Sequence, residues 1–178
     1  MKIIGFANIE GKPQMVLKSD SCMLVNRKPF FTPDDAQDLR MTPCVVLRVS
    51  RLGKSIEQRF ADRYYDAVAP GLDFVVWDKL EEARRNGSSW TEALDFDYSL
   101  AIGEWIELVE SQKSGQSPKV ESLLISPKEA IEQASRLMTI RQGDLIYIDT
   151  TESARRVERN EVIEGPEWAK DKLYCKIK

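Results

Sequence analysis

The chain has 178 residues, 42% of them hydrophobic and 31% charged, with 26 basic against 29 acidic side chains and a net charge of −3. That length suits one domain over residues 1–178, and the composition is that of an ordinary soluble globular protein. The near balance of charge gives no footprint for nucleic acid or an anionic membrane, and no segment approaches the apolar length of a membrane span.

Strand signals dominate the first third. "KIIGF", "QMVLK" and "CVVLRVS" are short, rich in Val, Ile and Leu, and bounded by Gly, Pro, Asn or Asp. The first is closed by a Glu-Gly turn and is too short for a signal-peptide core. "NRKPFFTPDDAQDLR" is an irregular connection punctuated by Pro29 and Pro33. In "KSIEQRFADRYYDAVAPG" the apolar residues Phe60, Tyr64 and Val68 fall four apart, which predicts an amphipathic helix stopped by Pro70 and Gly71.

"GLDFVVWDKL" follows as a strand whose Asp73 lies between Leu72 and Phe74. "DKLEEARRNG" predicts a helix with acidic residues first, Arg84 and Arg85 last, and an Asn86-Gly87 cap. Ser111–Lys119 is polar and reads as a loop within the domain. "SPKEAIEQASRLM" is the clearest helix, with Ser126 as cap, Pro127 in the first position and Glu129 three after the cap. A turn "RQGD", a strand "LIYID", the charged excursion "ARRVER" and a last strand "KLYCKI" complete the chain. The basic cluster within that excursion reads as a solvated loop or edge. The sum is an α+β class, mostly β, with two or three helices.

No histidine is present, which removes Ser-His and Cys-His nucleophiles and any His-ligated metal made within one chain. Chemistry here has to run on carboxylates, Lys, Tyr, Cys, Ser or Thr, or on a hard metal held by oxygen. Cys22, Cys44 and Cys175 have neither zinc-site nor redox spacing, so reduced thiols in the cytoplasm are expected.

Three blocks in order, "GKSIEQRFADRYYDAVAPGLDF", "WTEALDFDYSLAIGEW" and "LMTIRQGDLIYIDTTE", resemble the short bacterial form of the fumarylacetoacetate hydrolase family. "VLKSDSCMLVNRKPFF" extends the likeness toward the N-terminus. The resemblance implies mixed stacked sheets, a homodimer, and a pocket holding Mg²⁺ or Mn²⁺. There family members hydrolyse or decarboxylate acylpyruvates, oxaloacetate and related diketo acids. A hard ion suits that chemistry, because it binds keto-acid oxygens and stabilises the enolate formed on bond cleavage.

The chain departs from the family pattern at the site itself. A Glu-x-Glu metal pair is replaced by Thr42 and Cys44, and Asp73 is the only ligand position retained. Trp77, Leu80 and Leu94 stand where the family has Arg, Gln and Lys, and Asp149 replaces a glycine before the matching Thr150. Lys18 matches a family lysine, for which a solvated position is expected. The segment carrying a catalytic His and Glu in active members is shortened.

One carboxylate plus waters holds Mg²⁺ weakly, so no cofactor is expected, with Mg²⁺ or Mn²⁺ reserved for an enzyme reading. Cys44 beside a carboxylate is a poor nucleophile and reads as a space-filling residue. Asp95 and Asp97 read as turn residues. The three apolar replacements imply either a collapsed cavity or one taking a flatter, less charged ligand.

The preferred reading is a family member that has lost metal-dependent catalysis and acts as a binding or accessory protein, homodimeric, for a small keto-acid-like ligand. The alternative is a divalent-metal-dependent hydrolase or decarboxylase of acylpyruvate or diketo acids with a rearranged site, using Asp73 with Asp149. Asp73 is expected to be buried and held by backbone amides or by Thr, Tyr or Trp donors. A cavity between Asp73, Cys44 and Trp77 is the place to look for a ligand.

Overall fold

The computed structural model describes residues 1–25, 27–108 and 122–178. The polar stretch Ser111–Lys119 lies outside them. Strands β1 (Ile3–Ile9) and β2 (Lys12–Lys18) form a hairpin through Glu10 and Gly11, both at positive φ. The remaining strands are β3 (Met23–Val25), β4 (Leu39–Val49), β5 (Tyr65–Val76), β6 (Leu100–Ile102), β7 (Ile106–Glu107), β8 (Leu145–Asp149), β9 (Arg155–Arg156), β10 (Val162–Glu164) and β11 (Tyr174–Lys176).

Among the described residues, nine strands make one mixed sheet in the order β2-β1-β8-β4-β5-β6-β3, with β7 added to β5 and β9 to β4. β1 runs parallel to β8 and β3 parallel to β6, while the other pairs are antiparallel. β10 and β11 form a separate two-stranded sheet. Its Ile163 and Cys175 pack on Met41, Leu72 and Phe74, which stacks it on one face of β4 and β5. The class is α+β with mixed sheets, as the residues predict.

Two substantial helices flank the sheet. α1 (Trp77–Asn86) ends at Gly87, whose φ of 63° gives the left-handed cap expected of the Asn-Gly pair. A single turn, α2 (Thr91–Leu94), follows. α3 (Pro127–Leu137) starts as its sequence predicts: the Ser126 Oγ accepts from the Glu129 N–H at 3.2 Å and Pro127 sits in the first turn. The Glu129 carboxylate does not return to the cap but accepts from Gln133. Ala130, Ile131 and Ala134 seat α3 against Val45, Leu47, Ile146 and Ile148. Each fully buried side chain of the size of Ile131 contributes about 1.5–3 kcal/mol. No helix among the described residues is long and apolar enough to cross a membrane.

The amphipathic helix predicted over Phe60–Val68 does not form. Gln58–Arg63 is a 3₁₀ segment, and β5 begins at Tyr65 and runs through Pro70 and Gly71. The apolar residues from Tyr65 onward bury as a strand against β4, which overrides the four-residue spacing. Pro70 is tolerated because its missing N–H falls between the pairing of β5 with β7 at Ala67–Val68 and with β6 at Gly71–Asp73.

Candidate functional site

Antiparallel pairing fixes which side chains can meet, because directly opposed residues share a face. Thr42 opposes Asp73, Cys44 opposes Gly71 across β4 and β5, and Cys44 also opposes Asp149 on β8. Thr42, Cys44, Asp73 and Asp149 therefore line one face of three neighbouring strands, and all are buried. Tyr147, two residues before Asp149, joins them, its ring lying over Gly5 of β1. A Cβ at Gly5 would stand 2.1 Å from the ring, so only glycine leaves room for it.

Lys18 completes the group. It lies at the end of β2 opposite Ile3, whose side chain packs with Cys44 and Tyr147. Its Nζ donates to Asp73 Oδ1 at 2.6 Å, to Ser99 Oγ at 3.1 Å and to the Ser99 carbonyl at 3.3 Å. The Lys18 and Asp73 side chains are 0% and 1% exposed. Lys18 is thus not solvated, because Asp73 gives its ammonium a counterion inside the fold. Asp73 is buried as expected, but the donor that holds it is this ammonium and not backbone amides or Thr, Tyr or Trp groups. A strand-end lysine carries no local signal of burial, which is why sequence reasoning missed the pair.

Polar satisfaction is incomplete here. Asp149 Oδ2 accepts the Asn8 N–H at 2.7 Å, yet Asp149 Oδ1, Asp73 Oδ2 and the Tyr147 hydroxyl are buried without a hydrogen-bond partner. Burial pushes the Asp73 carboxyl above its ordinary range, against the Lys18 charge and hydrogen bond; the Tyr147 hydroxyl, outside hydrogen-bond geometry, still opposes the rise. Burial pushes Asp149 well up, and the charge of Asp73 adds to it. Burial, then Asp149 and Asp73, raise the Cys44 thiol far above the range in which a thiolate forms, so it offers no nucleophile. Burial likewise pushes Cys22, which packs in the same cluster, to about 12.

The apolar replacements pack elsewhere on this face. Leu80 and Leu94 join Ala7, Ile9, Val75 and Ala93 in a cluster of buried side chains, with Trp77 and Trp90 against it. Trp77 opens α1, donates its Nε1–H to Glu81 at 3.0 Å, and carries the Arg40 guanidinium over its ring at 4.3 Å. Leu80 is 0% and Leu94 4% exposed, so these positions have been taken into core. Asp95 accepts from the Ser19 N–H and hydroxyl as a loop fastening. In the basic excursion Arg155 pairs with Glu161 and Arg156 with Asp38 along an exposed edge.

None of the principal cavities of the described residues lies between Asp73, Cys44 and Trp77. An open cavity of about 640 Å³ is lined instead by Met41, Pro43, Leu72, Ile163 and Trp168, with Cys44, Thr150 and Arg155 also at its wall. Met41 and Leu72 belong to the opposite face of the sheet, so this space is separate from the acid cluster. Of the candidate residues only Cys44 and Thr150 reach it, and the Thr150 Oγ1 is buried there without a partner.

A divalent ion does not fit the acid cluster. Thr42 and Cys44 offer no hard anionic oxygen, and of the two carboxylates left, Asp73 is covered by a fully buried ammonium and Asp149 stands as a single further acid. No group of three His, Cys, Asp or Glu among the described residues could hold a metal.

The family model described as fumarylacetoacetate (FAA) hydrolase C-terminal matches residues 3–171. The mitochondrial oxaloacetate tautomerase fahd-1 of Caenorhabditis elegans is 21% identical over 169 residues, covering 88% of this chain and 79% of that protein. The mitochondrial oxaloacetate tautomerase FAHD1 of Rattus norvegicus is 22% identical over 172 residues, covering 89% and 78%. Fumarylpyruvate hydrolase from Pseudomonas aeruginosa, solved in complex with Mn²⁺ and pyruvate, superposes with a TM-score of 0.80 at 19% identity, covering 99% of this chain and 88% of that one. The structural likeness at that identity speaks for the fold alone.

Proposed function

We propose that this chain, which belongs to the fumarylacetoacetate hydrolase C-terminal family, has exchanged its metal centre for a buried lysine–aspartate pair and works as a binding or accessory protein. One observation carries this reading: Lys18 Nζ lies 2.6 Å from Asp73 Oδ1 with both side chains out of solvent. In a family whose chemistry uses a divalent cation, a fixed ammonium supplies the compensating charge without an open coordination position or Lewis acidity. Leu80 and Leu94 in core remove the space a substrate would need on that face.

The open cavity beside Thr150 and Arg155 is the ligand site under this reading. Its wall also carries Glu152, Glu164 and Glu167, so a small acid of keto-acid type would have to bind at the end formed by the Arg155 guanidinium and the unpartnered Thr150 hydroxyl, away from those carboxylates. Two copies of the chain pair, because β2 and β3 end the sheet and expose Leu17 and Val25 at those edges. Light scattering at micromolar concentration tests the pairing, and a monomer would refute it.

Asp149 gives a rival reading some footing: its Oδ1 and Asp73 Oδ2 are both unpartnered on one face, as two oxygens of a rearranged metal site would be. Turnover of oxaloacetate and of fumarylpyruvate with saturating Mn²⁺ separates the two. The proposal expects rates equal to those without protein. A metal-dependent kcat abolished by Asp149→Asn would establish the rearranged enzyme instead.

A further inference from the structure

β2 ends the sheet, and the side of its backbone away from β1 is open. On β1 the Asn8 N–H turns to Asp149, and the Lys2 carbonyl just before it accepts from Leu145, both on the β8 side. Ile3, Gly5 and Ala7 alternate with these residues and so bond Lys18, Val16 and Gln14 across the hairpin. The main-chain groups of Pro13, Met15 and Leu17 point outward, where no strand of the described residues meets them. Such an edge is a template for another strand.

A groove of about 410 Å³ follows this open side. Met15 and Leu17 line it on the α3 face, where Leu137 ends that helix, and Val16 lines it on the other face with Trp90 and Leu94. Leu17 and Leu137 are 54% and 61% exposed, so the rim on the α3 face is apolar. Charge separates the two ends. Lys12 starts β2, whereas Asp20 follows its end and Asp95 fastens Ser19 there.

We propose that the groove is filled by the same strand of a second copy, the two β2 strands running antiparallel about a two-fold axis at Val16. This rests on the reading that two copies pair, and it adds the seam, its register and the face it covers. With Val16 opposite its own counterpart, Met15 of each copy lies opposite Leu17 of the other, and each such pair can exchange both N–H···O=C bonds. Neighbouring registers lose bonds. A two-fold at Met15 sets Leu17 against Pro13, which has no N–H to give. A two-fold at Leu17 sets Met15 against Ser19, whose N–H already goes to Asp95. The register at Val16 also sets Lys12 against Asp20 of the partner subunit and gathers Leu17 and Leu137 of both copies on one face. An isologous contact needs a self-complementary surface, and opposite charges at the two ends of one strand supply it.

Light scattering of edge variants and a cysteine cross-link test the seam. The parent and Val25→Glu, on the β3 edge, should scatter as dimers at micromolar concentration. Leu17→Glu and Leu137→Glu, both at exposed positions, should scatter as monomers that still unfold cooperatively. In Val16→Cys the two Cα atoms stand about 4.5 Å apart, as in a non-hydrogen-bonded pair, so air oxidation should give a disulfide-linked dimer on a non-reducing gel. Gln14→Cys, which faces Lys18 of the partner subunit, should stay unlinked, and the chain's own cysteines are buried. A monomeric parent would overturn this inference together with the pairing reading. A dimer that survives Leu17→Glu and Leu137→Glu would overturn the β2 seam alone, and its loss in Val25→Glu would move the seam to β3. A dimeric Val16→Cys that stays unlinked would overturn the register.

Discussion

Asp144 immediately precedes β8 and Asp149 ends it, and both are almost wholly buried, at 3% and 1% exposure. Asp144 accepts from the Lys2 and Arg141 backbone amides, each at 2.8 Å, and pairs with the Lys2 ammonium at 2.6 Å. Asp149 accepts one amide and leaves an oxygen with nothing. Burial pushes both carboxyls up, but the Lys2 side chain and the two amides hold Asp144 below its ordinary range, while the Asp73 charge drives Asp149 further up. Burial alone therefore does not separate a structural clamp from a site. The difference lies in whether the fold supplies donors, and an acid left without them is where chemistry or a ligand remains to be accounted for.

The strongest way to break the contrast is to remove a partner. Lys18→Met leaves Asp73 buried without a counter-charge and is expected to lower stability by about 3–5 kcal/mol in urea unfolding. Asp144→Ala strips three donors of their acceptor at once, and a loss of about 2–3 kcal/mol is expected. A loss under about 1 kcal/mol in that variant would show that the turn reorganises and that Asp144 is no clamp.

The two acids should also give stability opposite dependences on pH. Asp144 has a lowered folded pKa, so its contribution is present above the unfolded value near 3.8 and is lost as pH falls through the folded pKa. Asp149 has a raised folded pKa, so its contribution is complete below 3.8 and is lost as pH rises toward the folded value. Urea unfolding of Asp144→Asn across pH should show a shallower acid-side slope, the rest coming from acids such as Asp38 and Glu161 that are also held low, and Asp149→Asn should show a shallower decline on the other side, the rest coming from Asp73. If both variants keep the parent profile, the difference between these acids does not reach stability.

The smallest effect sharpens the same point. Lys2→Met keeps both backbone donors to Asp144 and removes only an ammonium that is 35% exposed, so a change below about 1 kcal/mol is expected by the same unfolding measurement. A larger loss would mean that the charge, not the amides, holds Asp144.

Much of the architecture is legible in the residues. Val, Ile and Leu runs punctuated by Gly and Pro mark β1, β2, β4 and β8, and Ser126, Pro127 and Glu129 mark the start of α3. The stretch from Phe60 to Val68 is not, because apolar residues four apart also fit a 3₁₀ turn followed by a strand, and only pairing with β4 decides it. The facing of Thr42, Cys44 and Asp73 follows from two-residue alternation once the register is known. Burial of Lys18 does not, since its acceptors come from β5 and from Ser99, both distant in sequence.

Titration of the purified protein with Mn²⁺, followed by its melting temperature, tests the central claim most directly. An ion that binds the folded chain and not the unfolded one must stabilise it by mass action. With the Lys18 ammonium on Asp73, the melting temperature is expected to stay constant up to millimolar Mn²⁺. A concentration-dependent rise that Asp73→Asn abolishes would contradict the account and return this site to metal chemistry.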